Sequence, residues 1–414
     1  MMLQPVRGTH DFLPDKMRHY THLLDLARSV LSRYGYAQMS TPIIEFASIF
    51  DHVGEVSDIV TKETYTFPDR GGDRLTLRPE GTAAVMRAVV SNGLTQSLPL
   101  RYHYSGPMFR YDRPQKGRYR QFHQLGVELI GVAGMEADVE VITAADRYLR
   151  ALSLHDKCAL HINTLGDVPS REAFTQALVG YFSRYSDRLS EDSKIRLIKN
   201  PLRILDSKAP QDRALFDDAP AYGDYLSDAA KKHFDGVQNM LTKLSIPYTV
   251  NPLIVRGLDY YVHTTFEYVI QEGGGQGTIL GGGRYDGLCQ TMGGPHIPGV
   301  GWAAGLERLM LLHNYTPDSP CGLGLGILGE EFLEQGVVLA QSLRDRGMRI
   351  ELVSGGNPGK LLKKIDKLSV SHAMIVGSDE FVSGIAELKH MRSGYRVRLA
   401  MDDLSQNRLE ETVL

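Results

Sequence analysis

The stretch Arg101–Gly131 constrains the fold of this chain more than any other. Two runs rich in aromatic and aliphatic residues flank the segment DRPQKGR, which predicts a long β-hairpin with Pro114 and Gly117 at its tip. Against one acid, Asp112, the loop region carries the cations Arg110, Arg113, Lys116, Arg118 and Arg120. Because a surface hairpin needs no such excess of one sign, the loop indicates a polyanion nearby.

Side chains alternate between faces along a strand, so the returning half of the hairpin presents two sets. The set expected in the core is His123, Leu125, Val127 and Leu129. The other face carries Gln124 and Glu128 with Gly126 between them, and we interpret this glycine as space for a guest. An amide and a carboxylate on one face would form the floor of a pocket for a small polar ligand. A half-exposed strand with ordinary polar residues is the alternative at this level.

Composition predicts a soluble protein with two or three domains. The chain has 414 residues, of which 42% are hydrophobic and 23% charged. No apolar run has the length of a membrane span, and the N-terminal residues lack an apolar signal core, so we expect no membrane and a cytoplasmic location. Three scattered cysteines indicate neither disulfides nor a zinc site. With a formal net charge of -3, a nucleic-acid partner would need local basic patches.

The order of helix and strand signals predicts an α+β protein. In DRLTLRPEGTAAVMR a strand ends at Pro79 and a helix begins near Thr82, which puts Glu80 beside free backbone N–H groups. A carboxylate near a helix N-terminus is common for structural reasons alone. Residues 170–245 are charged and helix-forming, which predicts a helical insertion, and a further helix is predicted over Trp302–Leu312.

The last part of the chain, residues 319–414, alternates short apolar strands with helical runs and predicts a small α/β domain. We therefore divide the chain into domains 1–318 and 319–414. The glycines at 273–275 and 281–283 lack the spacing of a nucleotide-binding loop, so we attribute them to tight turns and close backbone approach.

Four segments occur in an order that is typical of one enzyme family. The hairpin, with Arg110 at the motif's arginine, resembles motif 2 of class II aminoacyl-tRNA synthetases. IVRGLDYY, at Ile254–Tyr261, resembles the signature of histidyl-tRNA synthetases. GGGRYDGL at Gly281–Leu288 and GVGWAAGLERL at Gly299–Leu309 resemble the same family's glycine-rich segment and motif 3. The resemblance extends from VRGTHDFLP at Val6 into the C-terminal region.

The resemblance implies a fold and an activity. The fold would be a class II antiparallel-sheet catalytic domain with a helical insertion, followed by a C-terminal α/β anticodon-binding domain. The segment around STPIIEF would be motif 1, which in the family forms the interface of a homodimer. The activity would be ATP-dependent conversion of L-histidine to histidyl-adenylate with release of pyrophosphate, then transfer of histidine to the 3′ end of tRNA(His). Mg²⁺ is expected with ATP, and we identify no metal ligand among the side chains.

The first step of such a reaction is attack of a carboxylate on the α-phosphate, which needs positioning and positive charge rather than a general base. The resemblance implies that Arg110 and Arg256 bind at the α-phosphate. Arg308 would hold the far phosphates, and Arg118 is a candidate for the phosphate tail. Any one such arginine, taken alone, is more often part of a structural ion pair.

Histidine must be distinguished by its ring, which offers one N–H donor and one acceptor when neutral. Glu128 and Tyr261 would bind the two ring nitrogens, and Tyr260 and Tyr285 would form pocket walls. Glu80, Thr82 and Gln124 would hold the α-amino group. The predicted histidine site comprises Glu80, Gly81, Thr82, Arg110, Gln124, Glu128, Arg256, Tyr260, Tyr261 and Tyr285.

The segment GKLLKKIDKL, at Gly359–Leu368, predicts a short helix with a basic stripe. The candidate contacts to tRNA are Lys360, Lys363, Lys364 and Lys367. A solvated helix face is the ordinary interpretation of such lysines.

Two other functions are compatible with the scaffold. One is the regulatory subunit of ATP phosphoribosyltransferase, which typically lacks the C-terminal domain and departs at the signature arginine, whereas Arg256 and residues 319–414 are present here. The other is a non-catalytic RNA-binding protein that kept the fold. The joint presence of Glu80, Arg110, Arg256 and Arg308 counts against it.

Overall fold

The structure is a computed structural model that describes residues 3–51, 63–254, 260–271, 277–315 and 321–411. The chain forms two compact units, Met1–Tyr315 and Thr316–Leu414. Within these described ranges, no helix is both long enough and apolar enough to span a bilayer.

Strands of the first unit form two sheets. In chain order they are β1 (Ala37–Gln38), β2 (Ile44–Phe46), β3 (Tyr65–Pro68), β4 (Arg74–Leu77), β5 (Leu100–Phe109), β6 (Gln121–Ile130), β7 (Cys158–Thr164), β8 (Thr249–Val250), β9 (Val262–Ile270), β10 (Thr278–Arg284) and β11 (Gly299–Gly305). Over the described residues the large sheet has the order β1-β5-β6-β11-β10-β9-β7-β8, and the small sheet has the order β2-β4-β3. Pairing in the large sheet is antiparallel except at its edges, β1 with β5 and β7 with β8. The predicted hairpin is β5 and β6, paired from Leu100 with Ile130 to Phe109 with Gln121.

Helices cover both faces of the large sheet. In chain order they are α1 (Pro14–Ser32), α2 (Ser48–Asp51), α3 (Thr82–Ser91), α4 (Met135–Ala151), α5 (Val168–Ser183), α6 (Glu191–Lys199), α7 (Pro210–Arg213), α8 (Asp228–Lys243), α9 (Leu288–Thr291) and α10 (Leu306–Leu312). Side-chain caps fix several helix starts, such as that of α5, where the Asp167 carboxylate accepts a hydrogen bond from the Ser170 amide at 3.0 Å.

One face of the large sheet packs against α1, α4 and α8. The apolar face of β6, with Leu125, Val127 and Leu129, joins this core as predicted. Each fully buried aliphatic side chain of this kind stabilises the fold by roughly 1.5–3 kcal/mol. His123, which was grouped with this set, instead donates from its backbone amide and its ring to the Glu307 carboxylate.

The opposite face packs against α3 and the helical stretch that begins at α5. This second core contains Tyr104 and Met108 from β5 together with Phe174 and Ile204. Residues 170–245 therefore divide between the two faces, because α8 contributes Phe234, Val237 and Leu241 to the first core. Gln124 and Glu128 belong to the second face, where the strand floor was expected.

The predicted helix over Trp302–Leu312 begins later than expected. Trp302 lies in β11, which pairs with β6 on one side and β10 on the other, and the helix begins at Leu306. Both neighbouring strands form hydrogen bonds with the backbone N–H and C=O groups of β11. These hydrogen bonds outweigh the helix preference of its alanines. The Trp302 indole donates to the Val141 carbonyl at 3.1 Å, so this side chain joins the strand to α4.

The second unit is a five-stranded sheet with helices. Its elements are β12 (Leu323–Ile327), α11 (Leu333–Asp345), β13 (Ile350–Ser354), α12 (Pro358–Asp366), β14 (His372–Val376), α13 (Ser378–Ser383), β15 (Ile385–His390), β16 (Arg396–Ala400) and α14 (Gln406–Glu411). The strand order is β13-β12-β14-β15-β16 within the described residues, with parallel pairing on both sides of β12. At Gly324, α12 approaches β12 closely, since a Cβ there would lie 2.3 Å from Ile365. The α+β class predicted from the sequence is confirmed.

Candidate active site

A cavity of about 450 Å³ lies in the first unit and collects most of the predicted site residues. Those that line it are Glu80, Thr82, Arg110, Arg118, Gln124, Tyr260, Tyr261, Tyr285 and Arg308. Gly81 and Glu128 are not among the lining residues, but Glu128 accepts hydrogen bonds from Thr82 and Tyr285, which are. Arg256 lies outside the described residues, as do the glycines at 273–275. The lysines of α12 belong to the second unit.

Glu80 lies where the chain enters α3. Its two carboxylate oxygens accept hydrogen bonds from the backbone amides of Thr82 at 2.7 Å and Ala83 at 2.8 Å. Burial raises the pKa of Glu80, while these amide hydrogen bonds and the Arg110 charge oppose that shift. The carboxylate is thus oriented by the helix N-terminus, and it still has lone pairs directed to the cavity. Its structural and ligand-binding roles are therefore compatible.

Glu128 is fully buried on β6. Thr82 donates from its hydroxyl to Oε1 at 2.7 Å, and Tyr285 donates from its phenol to Oε2. On the paired strand, a Cβ at Gly301 would lie 1.9 Å from Oε2, so glycine is needed there to admit the carboxyl group. Burial raises the pKa of Glu128 to about 8, which favours the neutral carboxyl group at neutral pH.

Glu128 should make stability depend on pH in a specific direction. Its folded pKa of about 8 exceeds the ordinary value of 4.5, so between these pH values the folded state binds the extra proton. The free energy of unfolding should therefore fall as pH rises through this window. In Glu128→Gln this contribution is absent, so we expect the variant to gain stability relative to the wild type as pH rises. Urea denaturation across the window measures it, and parallel pH profiles for the two proteins would contradict the assignment.

The space beside Gly126 is filled by the protein itself, so its interpretation as room for a guest is wrong. Tyr104 lies opposite Gly126 in the hairpin register, and a Cβ at Gly126 would lie 2.1 Å from its ring. Gly81 meets the same ring, also at 2.1 Å. Both glycines therefore make room for this phenol. The Tyr104 hydroxyl and Gln124 Oε1 have no hydrogen-bond partner among the described residues, and for Gln124, which lines the cavity, a polar ligand would supply one.

Three tyrosines form an aromatic wall. The rings of Tyr260 and Tyr261 lie 4.6 Å apart between centroids, and those of Tyr260 and Tyr285 lie 5.8 Å apart. Gly283 is in close contact with this wall, since a Cβ there would lie 2.8 Å from the Tyr261 ring. Residues 281–283 belong to β10, so the turn interpretation of these glycines is wrong and the close-approach interpretation is confirmed.

Arginines line another part of the cavity. Arg110 donates from Nε to the Pro79 carbonyl at 2.9 Å, and its guanidinium lies 5.2 Å from the centroid of the Phe122 ring. Arg308 donates to the carbonyls of Gly117 and Thr278, which join α10 to the hairpin loop and β10. Burial lowers the pKa of both arginines, but a guanidinium remains charged at neutral pH. Arg118 pairs with Asp112 at 2.9 Å.

Several residues of the site had no assignment from the sequence. They are Tyr104 beneath the floor and the cavity-lining Asp112, Lys208, Glu267 and Glu307. The register of the predicted hairpin could have identified Tyr104, since it puts that residue opposite Gly126. Glu307 directly precedes Arg308, and Lys208 ends the segment NPLRILDSK, but neither position has a spacing that indicates a ligand.

Comparisons with known proteins agree on one family. The family model described as histidyl-tRNA synthetase matches residues 8–171 and 194–309, and a model described as anticodon binding domain matches residues 324–411. The histidine–tRNA ligase of Gluconobacter oxydans is 49% identical over 98% of both chains. A crystal structure of apo S. aureus histidyl-tRNA synthetase has a TM-score of 0.82 at 31% identity, covering 99% of each chain.

A further solved structure has the same fold at lower identity. It is a Bacillus halodurans protein described as an ATP phosphoribosyltransferase regulatory subunit/histidyl-tRNA synthetase, with a TM-score of 0.66 and 22% identity. It covers 91% of this chain and 99% of its own. At this identity the likeness establishes the fold alone.

Proposed function

Because the chain belongs to the histidyl-tRNA synthetase family, we propose that it is a histidine–tRNA ligase that uses ATP to activate L-histidine and then charges tRNA(His). The observation that carries this proposal is the cavity itself. It combines carboxylate, hydroxyl and amide groups suited to an amino acid with arginines suited to phosphates. The alternative of a regulatory subunit is not favoured, because relatives that are nearly 50% identical over almost the full length are named histidine–tRNA ligase.

Histidine would bind across the β6 floor. Its ammonium group would meet Glu80, Thr82 and Gln124, of which Gln124 has an acceptor without a partner among the described residues. Its ring would lie between Glu128 and Tyr261. A neutral Glu128 carboxyl offers both a donor and an acceptor, and Tyr285 and Thr82 fix its orientation. An amino acid that leaves such buried groups unpaired is rejected by ~10⁴-fold or more.

The arginines would supply charge where it develops. The histidine carboxylate attacks the α-phosphorus of ATP and pyrophosphate leaves, so negative charge grows on phosphate oxygens. Arg110, with Arg256 as the resemblance implies, would bind these oxygens. Arg308 and Arg118 would hold the outgoing phosphates, as supported by their place at the hairpin loop. The 3′-terminal hydroxyl of tRNA then attacks the carbonyl carbon of the adenylate and AMP leaves.

Mg²⁺ is expected to enter with ATP and to bind mainly through its phosphates. Glu267 offers oxygen atoms that fit such an ion, because it lines the cavity and accepts a hydrogen bond from Thr278 at 2.7 Å. The ion would neutralise phosphate charge. A chelator should therefore abolish histidine-dependent pyrophosphate exchange, and added Mg²⁺ should restore it.

We further propose a cytoplasmic homodimer with domains 1–318 and 319–414. The small sheet supports a dimer, because it exposes apolar side chains, two of them within the segment that resembles motif 1. Ile44 and Phe46 on β2 are 49% and 55% exposed, and Phe67 on β3 is 39% exposed. A patch of this kind on a small sheet is typical of a surface that a partner covers.

Reversing charge on α12 and at Lys367, which directly follows it, should weaken tRNA binding without changing histidine activation. Lys363 and Lys367 are exposed and make no hydrogen bond to a described residue, whereas Lys364 donates to the carbonyls of Ser354 and Gly355 and thus has a structural contact. We expect Lys363→Glu with Lys367→Glu to lower charging of tRNA and to flatten its salt dependence by about one unit per lost phosphate contact.

The same double variant provides an internal control, because pyrophosphate exchange does not involve tRNA. Lys231→Glu with Lys232→Glu, on the exposed side of α8, makes the same change in net charge in the first unit. Charging equal to that of the wild type at every salt concentration would leave the α12 lysines as a solvated face.

Aminoacylation tests the proposed function as a whole. The purified protein should charge a tRNA(His) transcript with histidine in the presence of ATP and Mg²⁺, and it should not charge it with other amino acids. A protein that binds this tRNA but charges it with no amino acid would favour a non-catalytic RNA-binding function.

A further inference from the structure

We propose that Lys208, which the helical stretch between β7 and β8 contributes to the cavity, is an additional phosphate-binding residue of the reaction. The inference rests on the proposed function and extends it, since the arginines assigned above lie outside this stretch. Lys208 lines the cavity together with Arg110, Tyr260 and Tyr261.

The backbone that presents Lys208 is rigidly supported. It follows a 3-10 turn over Pro201–Asp206, whose residues Leu202, Ile204 and Leu205 are buried in the second core. The preceding residue, Ser207, donates from its hydroxyl to the carboxylate of Asp212 at 2.5 Å. An exposed lysine on an ordinary surface loop needs no such anchoring.

The Asp212 carboxylate links this backbone to neighbouring segments through hydrogen bonds. This carboxylate is fully buried, and it also accepts hydrogen bonds from the Ser190 amide at 2.8 Å and from the hydroxyls of Ser190 at 2.7 Å and Ser193 at 2.6 Å. Burial of Asp212 acts to raise its pKa, but the hydrogen bonds from Ser193, Ser207 and Ser190 prevail and lower it. A buried charge is stable only when it is paired in this way, so the segment before Lys208 has one defined conformation.

The ammonium of Lys208 is exposed and has no hydrogen bond or ion pair to any residue that the structure describes. The acids that line the cavity have other contacts. Asp112 pairs with Arg118, Glu307 with His123, Glu80 accepts from the amides of α3, and Glu267 accepts from the Thr278 hydroxyl. Lys208 therefore adds a positive charge to the cavity lining, and no carboxylate of the described residues pairs with it.

The anion that fits is a phosphate, since a lysine ammonium is a compact point charge that binds phosphate oxygens from varied directions. Two sources in the proposed reaction carry that group. One is the nucleotide, as ATP or adenylate, and the other is the terminal phosphodiester of the tRNA. The two sources are distinguished by the step at which Lys208 acts.

The test compares Lys208→Met and Lys208→Arg with Lys199→Met. Lys199 is an exposed lysine at the end of α6 and does not line the cavity, so it is the matched control. We expect Lys208→Met to lose roughly 10–100-fold in one step, the loss for one charge-assisted hydrogen bond, and Lys208→Arg to recover most of it. Lys199→Met should equal the wild type.

Two reactions, pyrophosphate exchange and transfer of histidine to tRNA, are measured with the folded, full-length protein. Loss in histidine-dependent pyrophosphate exchange assigns the contact to the nucleotide phosphate. Loss confined to single-turnover transfer from preformed adenylate assigns it to the tRNA phosphate. Rates within about two-fold of the wild type in both reactions, or a defect only in the KM for histidine, would overturn the proposal. Absence of both reactions in the wild type would instead overturn the proposed function.

Discussion

The Arg110→Met variant should catalyse pyrophosphate exchange about 10²–10³-fold more slowly than the wild type, the loss typical of removing one preorganised donor at a developing charge. Arg110 lines the cavity, and the one hydrogen bond that its guanidinium makes to a residue that the structure describes runs from Nε to the Pro79 carbonyl at 2.9 Å. The remaining N–H groups of its guanidinium fork are available for phosphate oxygens. The loss should appear mainly in kcat, because in the proposed role the contact of Arg110 with the phosphate would strengthen in the transition state.

Two variants make this result specific. Arg113→Met removes an exposed arginine from the same hairpin loop that does not line the cavity, so exchange should remain within a few-fold. Arg110→Lys keeps the charge but loses the fork, and it should fall between the wild type and Arg110→Met. An Arg110→Met enzyme that exchanges pyrophosphate as fast as the Arg113→Met control would remove Arg110 from the reaction.

The Arg284→Met variant should lower the free energy of unfolding of the first unit by about 3–5 kcal/mol, because the buried Asp138 carboxylate loses its arginine partner and keeps, among the described residues, only the contact to His233 at 3.3 Å. Arg284 and Asp138 are both fully buried and directly bonded, with Nε 3.1 Å from the Asp138 carboxylate. The same guanidinium donates to the carbonyls of Val132 and Gly134. This network joins α4 to the end of β10, directly before Tyr285 of the site.

Fluorescence of Trp302 during chemical denaturation measures this effect, because the chain has a single tryptophan and it is buried in the first unit. Arg28→Met is the matched control in the same unit. Its pair with Asp25 is exposed, so its loss should cost only about 0–1 kcal/mol. Equal destabilisation by the two variants would show that the buried pair contributes no more to the free energy of unfolding than the exposed pair does.

Sequence periodicity predicted the framework of the site well. The hairpin, the helix start beside Glu80 and the shared strand face of Gln124 and Glu128 all follow from local patterns, because alternation along a strand and free amides at a helix start depend on neighbouring residues. The structure agrees in each case.

Contacts between distant segments could not be predicted in the same way. A glycine indicates space but not what fills it, so Gly126 was interpreted as room for a ligand although Tyr104 of the paired strand occupies that space. The Arg284 and Asp138 side chains meet across 146 positions of sequence. Lys208 is presented by a separate helical stretch, and only the folded chain brings it to the cavity.

The claim that this cavity activates histidine is tested most directly by pyrophosphate exchange with ATP, measured with each amino acid in turn and without tRNA. In the proposed function one cavity combines residues that would bind the amino acid with arginines that would bind phosphates, so exchange should occur with histidine and with no other amino acid. Folded protein that binds ATP but exchanges pyrophosphate with no amino acid would contradict the account, and equal exchange with several amino acids would contradict the role given to Glu128 and Tyr261.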